Sequence, residues 1–394
     1  MKYFIITYGC QMNKADSERI ASYLKSKGYK PASKKEGADF IVVNMCSVRQ
    51  SAVDRVYGKI KDFAKLKAQK PKLKTILTGC VLKKDKPKFA KGFDQILKFK
   101  DLLRYQPKHK YNPIAYIPIS NGCNNACTYC VVPYTRGPLV CRGYNEILNE
   151  VKNMVKKGFK EIWLLGQNVN DYHDKIKNQK SPKQSLRDAT GQTKIKNSLQ
   201  KSKIINFAKL IKTVNDIHGD FKFFFTSPHP KPSTGAKLGA GLVPHSPDEV
   251  GTGAGNFSWD ELIDTLAHCN KFGKYINLPV QSGDDKILKK MKRNYTIKEY
   301  KNLVKKIRKK IPEIKLSTDV IVGFPGETKK QFQNTVKLFK EIKFDWAYIA
   351  KYSPRVGTVA FQLKDDVPLG EKKRREKILR NILKENLIPH FSRS

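Results

Sequence analysis

The chain has 394 residues, and its 78 Lys and Arg against 35 Asp and Glu leave a net charge of +43 at pH 7. That length exceeds one ordinary core and points to two domains, while so large a basic excess favours a polyanionic partner, because neutralised phosphates release their counterions. No run of about 18 apolar residues is present, and the first residues alternate as a strand rather than forming a signal peptide, so the chain is expected to work in the cytoplasm and away from membranes. Eight cysteines in a large, lysine-rich chain of this kind read as metal or redox ligands rather than disulfide halves.

The first hundred residues alternate strand patterns, at 2–7, 39–44 and 74–78, with amphipathic segments at 16–27 and 50–66. A β/α alternation of this kind implies a doubly wound parallel sheet, here over 1–105. A cysteine follows each strand: Cys10 in Tyr8-Gly-Cys-Gln-Met-Asn13, Cys46 in Asn44-Met-Cys-Ser-Val-Arg49 and Cys80 in Thr78-Gly-Cys-Val81. Their spacing is about one βα repeat, so all three thiols should emerge at one carboxyl edge, where such sheets bind ligands. With Gly9 and Gly79 permitting tight turns, the three read as ligands of an iron–sulfur cluster. The alternative is buried cysteines acting as small hydrophobes.

A polar, proline-containing linker at 106–113 leads into a second alternation, with strands expected at 115–119, 161–165, 221–225, 274–280, 315–322 and 345–351. Helices are expected at 144–157, 204–217, 259–269, 297–310, 329–342 and 371–386. Six such units read as a partial (β/α)6 barrel over 114–365, followed by a C-terminal helix and tail at 366–394, with the active site at the carboxyl ends of the strands. The distinctive turns fall there: Cys123 after the first strand, Gly166-Gln-Asn168 after the second, Thr226-Ser-Pro-His229 after the third, Gln281-Ser-Gly283 after the fourth and Gly323-Phe-Pro-Gly326 after the fifth. Two polar or glycine-rich stretches, 176–203 and 232–258, interrupt the barrel and have too little apolar matter to fold alone, so mobile loops over the mouth are expected.

Cys123, Cys127 and Cys130 stand at C-x3-C-x2-C spacing with Tyr129 just before the third. Structural zinc and ferredoxin-type clusters call for four ligands, so three crowded cysteines suggest a cluster with one iron left open. The pattern resembles the signature of the radical S-adenosylmethionine (SAM) superfamily. That resemblance implies a 4Fe–4S cluster at Cys123, Cys127 and Cys130 that chelates SAM, and an electron donor such as flavodoxin or ferredoxin.

Together with the cysteines at 10, 46 and 80, the pattern is similar to the methylthiotransferase family, whose members carry a second 4Fe–4S cluster on the N-terminal triplet. Gln11-Met-Asn13 favours the branch acting on tRNA over the one acting on a ribosomal protein. The resemblance implies addition of a methylthio group to C2 of N(6)-isopentenyladenosine beside the anticodon, a sulfur source, a monomer, and SAM-pocket roles for Tyr129, Gln167, Asn168, Gln281 and Gly323. Arg136, in Pro133-Tyr-Thr-Arg-Gly137, also matches and is expected to order the loop after the cluster or hold a carboxylate bidentately, the alternative being a surface arginine. The alternatives are methylthiolation of threonylcarbamoyl-adenosine or of a ribosomal protein, or a non-catalytic iron–sulfur, RNA-binding or electron-transfer role. Cys141 and Cys269 are expected not to be ligands. The family's small C-terminal RNA-gripping barrel, the TRAM domain, is not expected in the residues present.

Overall fold

The computed structural model describes residues 1–48, 50–99, 102–107, 113–176, 203–231 and 257–387. It begins with β1 (Lys2–Thr7), α1 (Gln11–Ser26), β2 (Lys30–Pro31), β3 (Phe40–Met45), α2 (Gln50–Gln69), β4 (Lys74–Gly79), α3 (Lys86–Ala90) and β5 (Gln95–Ile96). These strands pair in parallel in the order β2-β1-β3-β4-β5. Every residue of β3 is buried, as a parallel strand covered on both faces requires. Its Phe40 and Val42 pack with Ile20 and Leu24 of α1, while Ile41, Val43 and Met45 pack with Val53, Val56 and Phe63 of α2. The sheet is therefore doubly wound. Its order reverses between β1 and β3, the point at which open α/β sheets bind ligands.

The chain continues through β6 (Ile114–Pro118), β7 (Ser120–Asn121), α4 (Val132–Thr135), β8 (Val140–Cys141), α5 (Tyr144–Lys156), β9 (Glu161–Leu165), β10 (His173–Ile176) and β11 (Lys203–Asn206). Next come α6 (Phe207–Asn215), β12 (Lys222–Phe225), α7 (Trp259–Ala267), β13 (Tyr275–Asn277), α8 (Asp285–Lys290), α9 (Ile297–Lys310), β14 (Lys315–Val322), α10 (Lys329–Ile342), β15 (Trp346–Lys351) and α11 (Leu369–Leu387). β6, β9 and β12 pair in parallel, as do β13, β14 and β15, and a parallel bridge from Phe223 to Phe272 joins the two trios. Six strands thus stand in chain order as an open arc. Ile147 of α5, Leu210 of α6 and Phe339 of α10 pack with Ile117, Leu164 and Leu316 of the strands in one core.

α9 and α10 begin where their sequence signals place them, because Thr296 with Glu299 and Thr328 with Gln331 form capping boxes. Two expectations need correction. α1 starts at Gln11 rather than 16, since Cys10 takes the N-cap position and its N–H donates to Asn13 Oδ1 at 3.4 Å. Residues 204–206 are not helical; they belong to β11, which pairs antiparallel with β10, and Asn206 caps α6 by accepting the Lys209 N–H at 3.0 Å. A β-branched pair, Ile204 and Ile205, takes a strand once a partner strand is available.

The stretches 176–203 and 232–258, the middle of the linker at 106–113 and the tail beyond 387 lie largely outside the described residues. Among the described residues no helix is long and apolar enough to cross a membrane.

The sheet domain docks on the barrel through α1. Met12 and Ala15 pack with Tyr116 and Leu165 at the first barrel strands. Beside them Arg19 Nη2 reaches both oxygens of Glu150 on α5, at 2.8 and 3.0 Å, and Arg142 Nη2 reaches the same carboxylate at 2.8 Å. All three side chains are buried.

Candidate functional site

Cys10, Cys46 and Cys80 sit at the ends of β1, β3 and β4, on one rim of the sheet. An amide pair brings the segments together. Asn13 Nδ2 donates to Asn44 Oδ1 at 3.2 Å and to the Met45 carbonyl at 3.1 Å, and Asn44 Nδ2 donates to the Asn13 carbonyl at 2.8 Å. The first turn of α1 is thereby clipped to the end of β3, and Gly9, the residue before Cys10, lies against Cys46. Gly9 and Gly79 hold φ of +148° and +96°, and a Cβ on Gly9 would come within 2.8 Å of Cys46 Cβ. A side chain there would wedge the rim open. Cys46 and Cys80 are buried and Cys10 is exposed. A hydrogen bond with the Cys46 thiol, and then burial, raise the pKa of Cys80.

The second triplet follows β7. The Gly122 N–H donates to Gln167 Oε1 at 2.7 Å, tying the start of the loop to the turn after β9. Each thiol has an N–H donor: Cys123 Sγ accepts from Asn125 N at 3.4 Å, Cys130 Sγ from Val132 N at 3.4 Å, and Cys127 Sγ from Arg293 Nη1 at 3.5 Å. Burial pushes the Cys123 thiol up to about 12 and raises Cys130 as well. Burial thus favours the neutral thiol at Cys123 and Cys130, and iron would displace those protons on binding.

The donor set fits a cluster. Three soft sulfurs, each polarised by an N–H, suit iron–sulfur chemistry. Among the described residues no three His, Cys, Asp or Glu converge as ligands of a single metal ion.

Arg136, just beyond α4, joins the two triplets. Its Nε donates to Cys80 Sγ at 3.2 Å, its Nη1 to Asn121 Oδ1 at 2.9 Å and its Nη2 to Asp16 Oδ2 at 2.8 Å. One guanidinium thus touches the rim cysteine, the α1 carboxylate and the residue two before Cys123. Burial works against its charge, but Asp16 and the Cys80 thiol outweigh burial and its pKa is raised. Arg136 does hold a carboxylate, but through one Nη2–Oδ2 contact rather than bidentately, because its Nε and Nη1 are taken by Cys80 and Asn121; its bond to a rim thiol had no signal in the sequence.

The other expected residues separate into two groups. Tyr129 packs with Ile287, Met291, Phe324 and Tyr352 beneath the loop. Asn168 Nδ2 donates to Asp171 at 2.7 Å, while its buried Oδ1 has no hydrogen-bond partner among the described residues. Gln281 and Gly323 lie at the carboxyl ends of the fourth and fifth strands, at φ of +68° and +69°. Packing accounts for Gly323, since a Cβ there would strike Lys372 of α11. Cys269 lies in the barrel core and Cys141 packs against it, as expected of non-ligands. Sequence reasoning missed Arg293, which belongs to no recognisable motif and meets Cys127 only in the fold.

Residues 117–339 match the radical SAM superfamily, and residues 2–98 match an uncharacterized protein family, UPF0004. The chain is 35% identical over 98% of its length to the tRNA-2-methylthio-N(6)-dimethylallyladenosine synthase of Clostridium botulinum, covering 82% of that protein. It is 34% identical over 95% of its length to the enzyme of the same name from Carboxydothermus hydrogenoformans, covering 81%. The chain belongs to the radical SAM methylthiotransferase family. Membership makes it an enzyme that uses SAM and a 4Fe–4S cluster.

Among solved structures, the radical SAM methyltransferase TsrM from Kitasatospora setae superposes with a TM-score of 0.53 at 12% identity, covering 89% of this chain and 72% of that one. The cobalamin-dependent radical enzyme OxsB superposes with a TM-score of 0.52 at 10% identity, covering 98% of this chain and 56% of that one. At such identities the likeness shows the fold alone.

Proposed function

We propose that this family member adds a methylthio group to C2 of the N(6)-isopentenylated adenosine beside the anticodon of tRNA. The observation that carries the reading is the Arg136 bridge, whose guanidinium joins Cys80 of the sheet rim to Asn121, two residues before Cys123 of the barrel loop. Sulfur insertion at an unactivated carbon needs a radical source and a sulfur-holding site, and two cysteine triplets linked through one guanidinium would supply both positions. Cys123, Cys127 and Cys130 would hold the SAM-binding cluster, and Cys10, Cys46 and Cys80 a second 4Fe–4S cluster. When bound, the first cluster and SAM supply a one-electron cleavage that generates a carbon radical able to attack a C–H bond without an acidic proton.

This chain's own residues do the positioning. Asn168 Oδ1, buried and unpartnered, offers a hydrogen-bond acceptor to SAM. The apolar cluster around Tyr129 shields one side of the loop from water. The basic surface attracts the tRNA backbone, and an anticodon-loop adenine is extruded more easily than one in a duplex. A cytoplasmic monomer, an external sulfur source and reductant, and a division into domains at 1–105 and 114–365 belong to the same reading.

The test is anaerobic reconstitution of the chain with iron and sulfide, incubation with SAM, dithionite as reductant and tRNAs carrying the isopentenylated or the threonylcarbamoylated base, and mass spectrometry of the digested nucleosides. A mass gain of one methylthio group on that base is expected. A gain only on threonylcarbamoyl-adenosine would overturn the substrate, and absence of SAM cleavage would overturn the reaction.

A further inference from the structure

Beside the barrel cysteine loop lies a cavity of about 480 Å³ whose inner wall includes the buried Thr128. Lys289, Lys290, Lys292 and Lys364 stand around it, all exposed, and Val359 and Leu363 form its apolar side. Leu363 and its neighbour Phe361 remain 41% and 42% exposed, and Lys84 of the sheet domain stands 5.7 Å over the Phe361 ring. Asp366, the acid of the lining, is already engaged as acceptor of the Gly326 N–H at 2.7 Å. The surface therefore has an apolar centre and a basic rim.

Its inner wall is tied to the cysteines. The Ala360 N–H donates to the Thr128 carbonyl at 2.8 Å, the Thr128 N–H donates to the Met291 carbonyl at 3.1 Å, and Thr128 Oγ1 donates to the Lys290 carbonyl at 3.0 Å. Thr128 is the residue after Cys127, and Arg293, which follows the Lys292 of the rim, donates to Cys127 Sγ at 3.5 Å.

We propose that this surface docks an acidic one-electron carrier protein, the reductant that the function above requires; the inference rests on that reading and adds where the reductant binds. A rim of lysines steers an acidic partner and speeds its encounter more than it tightens the complex. A small apolar centre suits a weak, short-lived association, which is what repeated electron delivery needs. The position supplies the third argument, since one hydrogen bond from Ala360 reaches Thr128, whose peptide bond leads to Cys127. RNA would also find the lysines, but Val359, Leu363 and Pro325 of the lining carry no aromatic ring, and the nearby Phe361 ring already has Lys84 over one face. Each encounter oxidises the carrier by one electron and reduces by one electron the group held at Cys123, Cys127 and Cys130, with no bond made or broken.

The test uses the reconstituted full chain, the triple variant Lys289→Glu, Lys290→Glu, Lys364→Glu, and separately Leu363→Asp. Binding of an acidic flavodoxin and of tRNA is measured by calorimetry at several salt concentrations, and SAM cleavage is driven either by reduced flavodoxin or by dithionite. The triple variant should bind flavodoxin about tenfold more weakly and lose most of the salt dependence. Leu363→Asp should weaken it about threefold or more. Dithionite-driven cleavage should be unchanged in both variants, because dithionite needs no docking surface, and tRNA affinity should stay within about twofold. Unchanged flavodoxin binding would overturn the proposal, and an equal loss of tRNA affinity would reassign the surface to RNA. Absence of dithionite-driven cleavage in the unaltered chain would instead overturn the reading beneath it.

Discussion

Cys123, Cys127 and Cys130 share one loop, whereas Cys10, Cys46 and Cys80 end three different strands and meet only because a parallel sheet aligns its carboxyl edge. Two of the three loop thiols take their N–H donors from within two residues along the chain, Cys123 from Asn125 and Cys130 from Val132 at the start of α4. The rim depends on partners far along the chain: the Asn13–Asn44 pair, and Arg136 from the other domain. A local loop keeps its ligands together at little entropic expense, while the rim exists only when sheet and interface are both formed. The rim is thus the site more exposed to damage at a distance.

The sharpest break of that comparison comes from removing each triplet. Replacing Cys123, Cys127 and Cys130 by alanine should abolish 5′-deoxyadenosine formation and lower bound iron from about eight atoms to about four. The same replacement of Cys10, Cys46 and Cys80 should remove as much iron and end methylthio product, yet leave 5′-deoxyadenosine formation measurable. Product from that variant would show that the rim is dispensable.

Glu150→Ala probes the interface on which the rim depends. It leaves the buried guanidinium groups of Arg19 and Arg142 without their shared carboxylate, an expected loss of roughly 3–5 kcal/mol in a denaturant titration. A loss below about 1 kcal/mol would mean that the interface relaxes and the charges find water.

Arg136→Gln sharpens the contrast between the sites. Methylthio product should fall about 10- to 100-fold, and the electron paramagnetic resonance signal of the N-terminal cluster should shift, because Cys80 loses its donor and Asp16 its partner. SAM cleavage with dithionite should persist. Equal changes in both cluster signals would mean that Arg136 does not belong preferentially to the rim.

The smallest effect is expected at His229 on the barrel side. Burial first, and then the neighbouring Arg293, lower its pKa well below the ordinary 6.5, so the folded chain holds it neutral. A depressed pKa gives stability that is complete above about 6.5 and is lost as pH falls toward the folded value. Thermal melts between about pH 5 and 8 should show this acid-side loss, and His229→Gln should flatten it. The same acid-side slope in the variant would assign the loss to other groups.

Much of the fold could be read from residue patterns. β1, β9, β14, α9 and α10 lie at the bounds that periodicity and caps indicate, because their apolar faces and capping boxes are local properties. The β10–β11 pairing could not be read, since Lys203–Asn206 becomes a strand only against a partner thirty residues earlier in the chain. Nor could Arg293 or the Arg19–Glu150–Arg142 triad, whose members carry no spacing that marks them as neighbours.

The amino-acid sequence by itself determined the cysteine spacings, the βα rhythm that brings Cys10, Cys46 and Cys80 to one edge, and the six-unit order of the barrel. Those features follow from short-range geometry, which side-chain order encodes directly. Only the tertiary structure decided that Arg136 spans the two triplets, that Arg293 points at Cys127, and that lysines from α8 and from the turn after Leu363 ring one cavity beside Thr128. Each depends on how helices and sheet pack, and packing is set by the sum of many weak, non-directional apolar contacts that no short stretch of sequence contains.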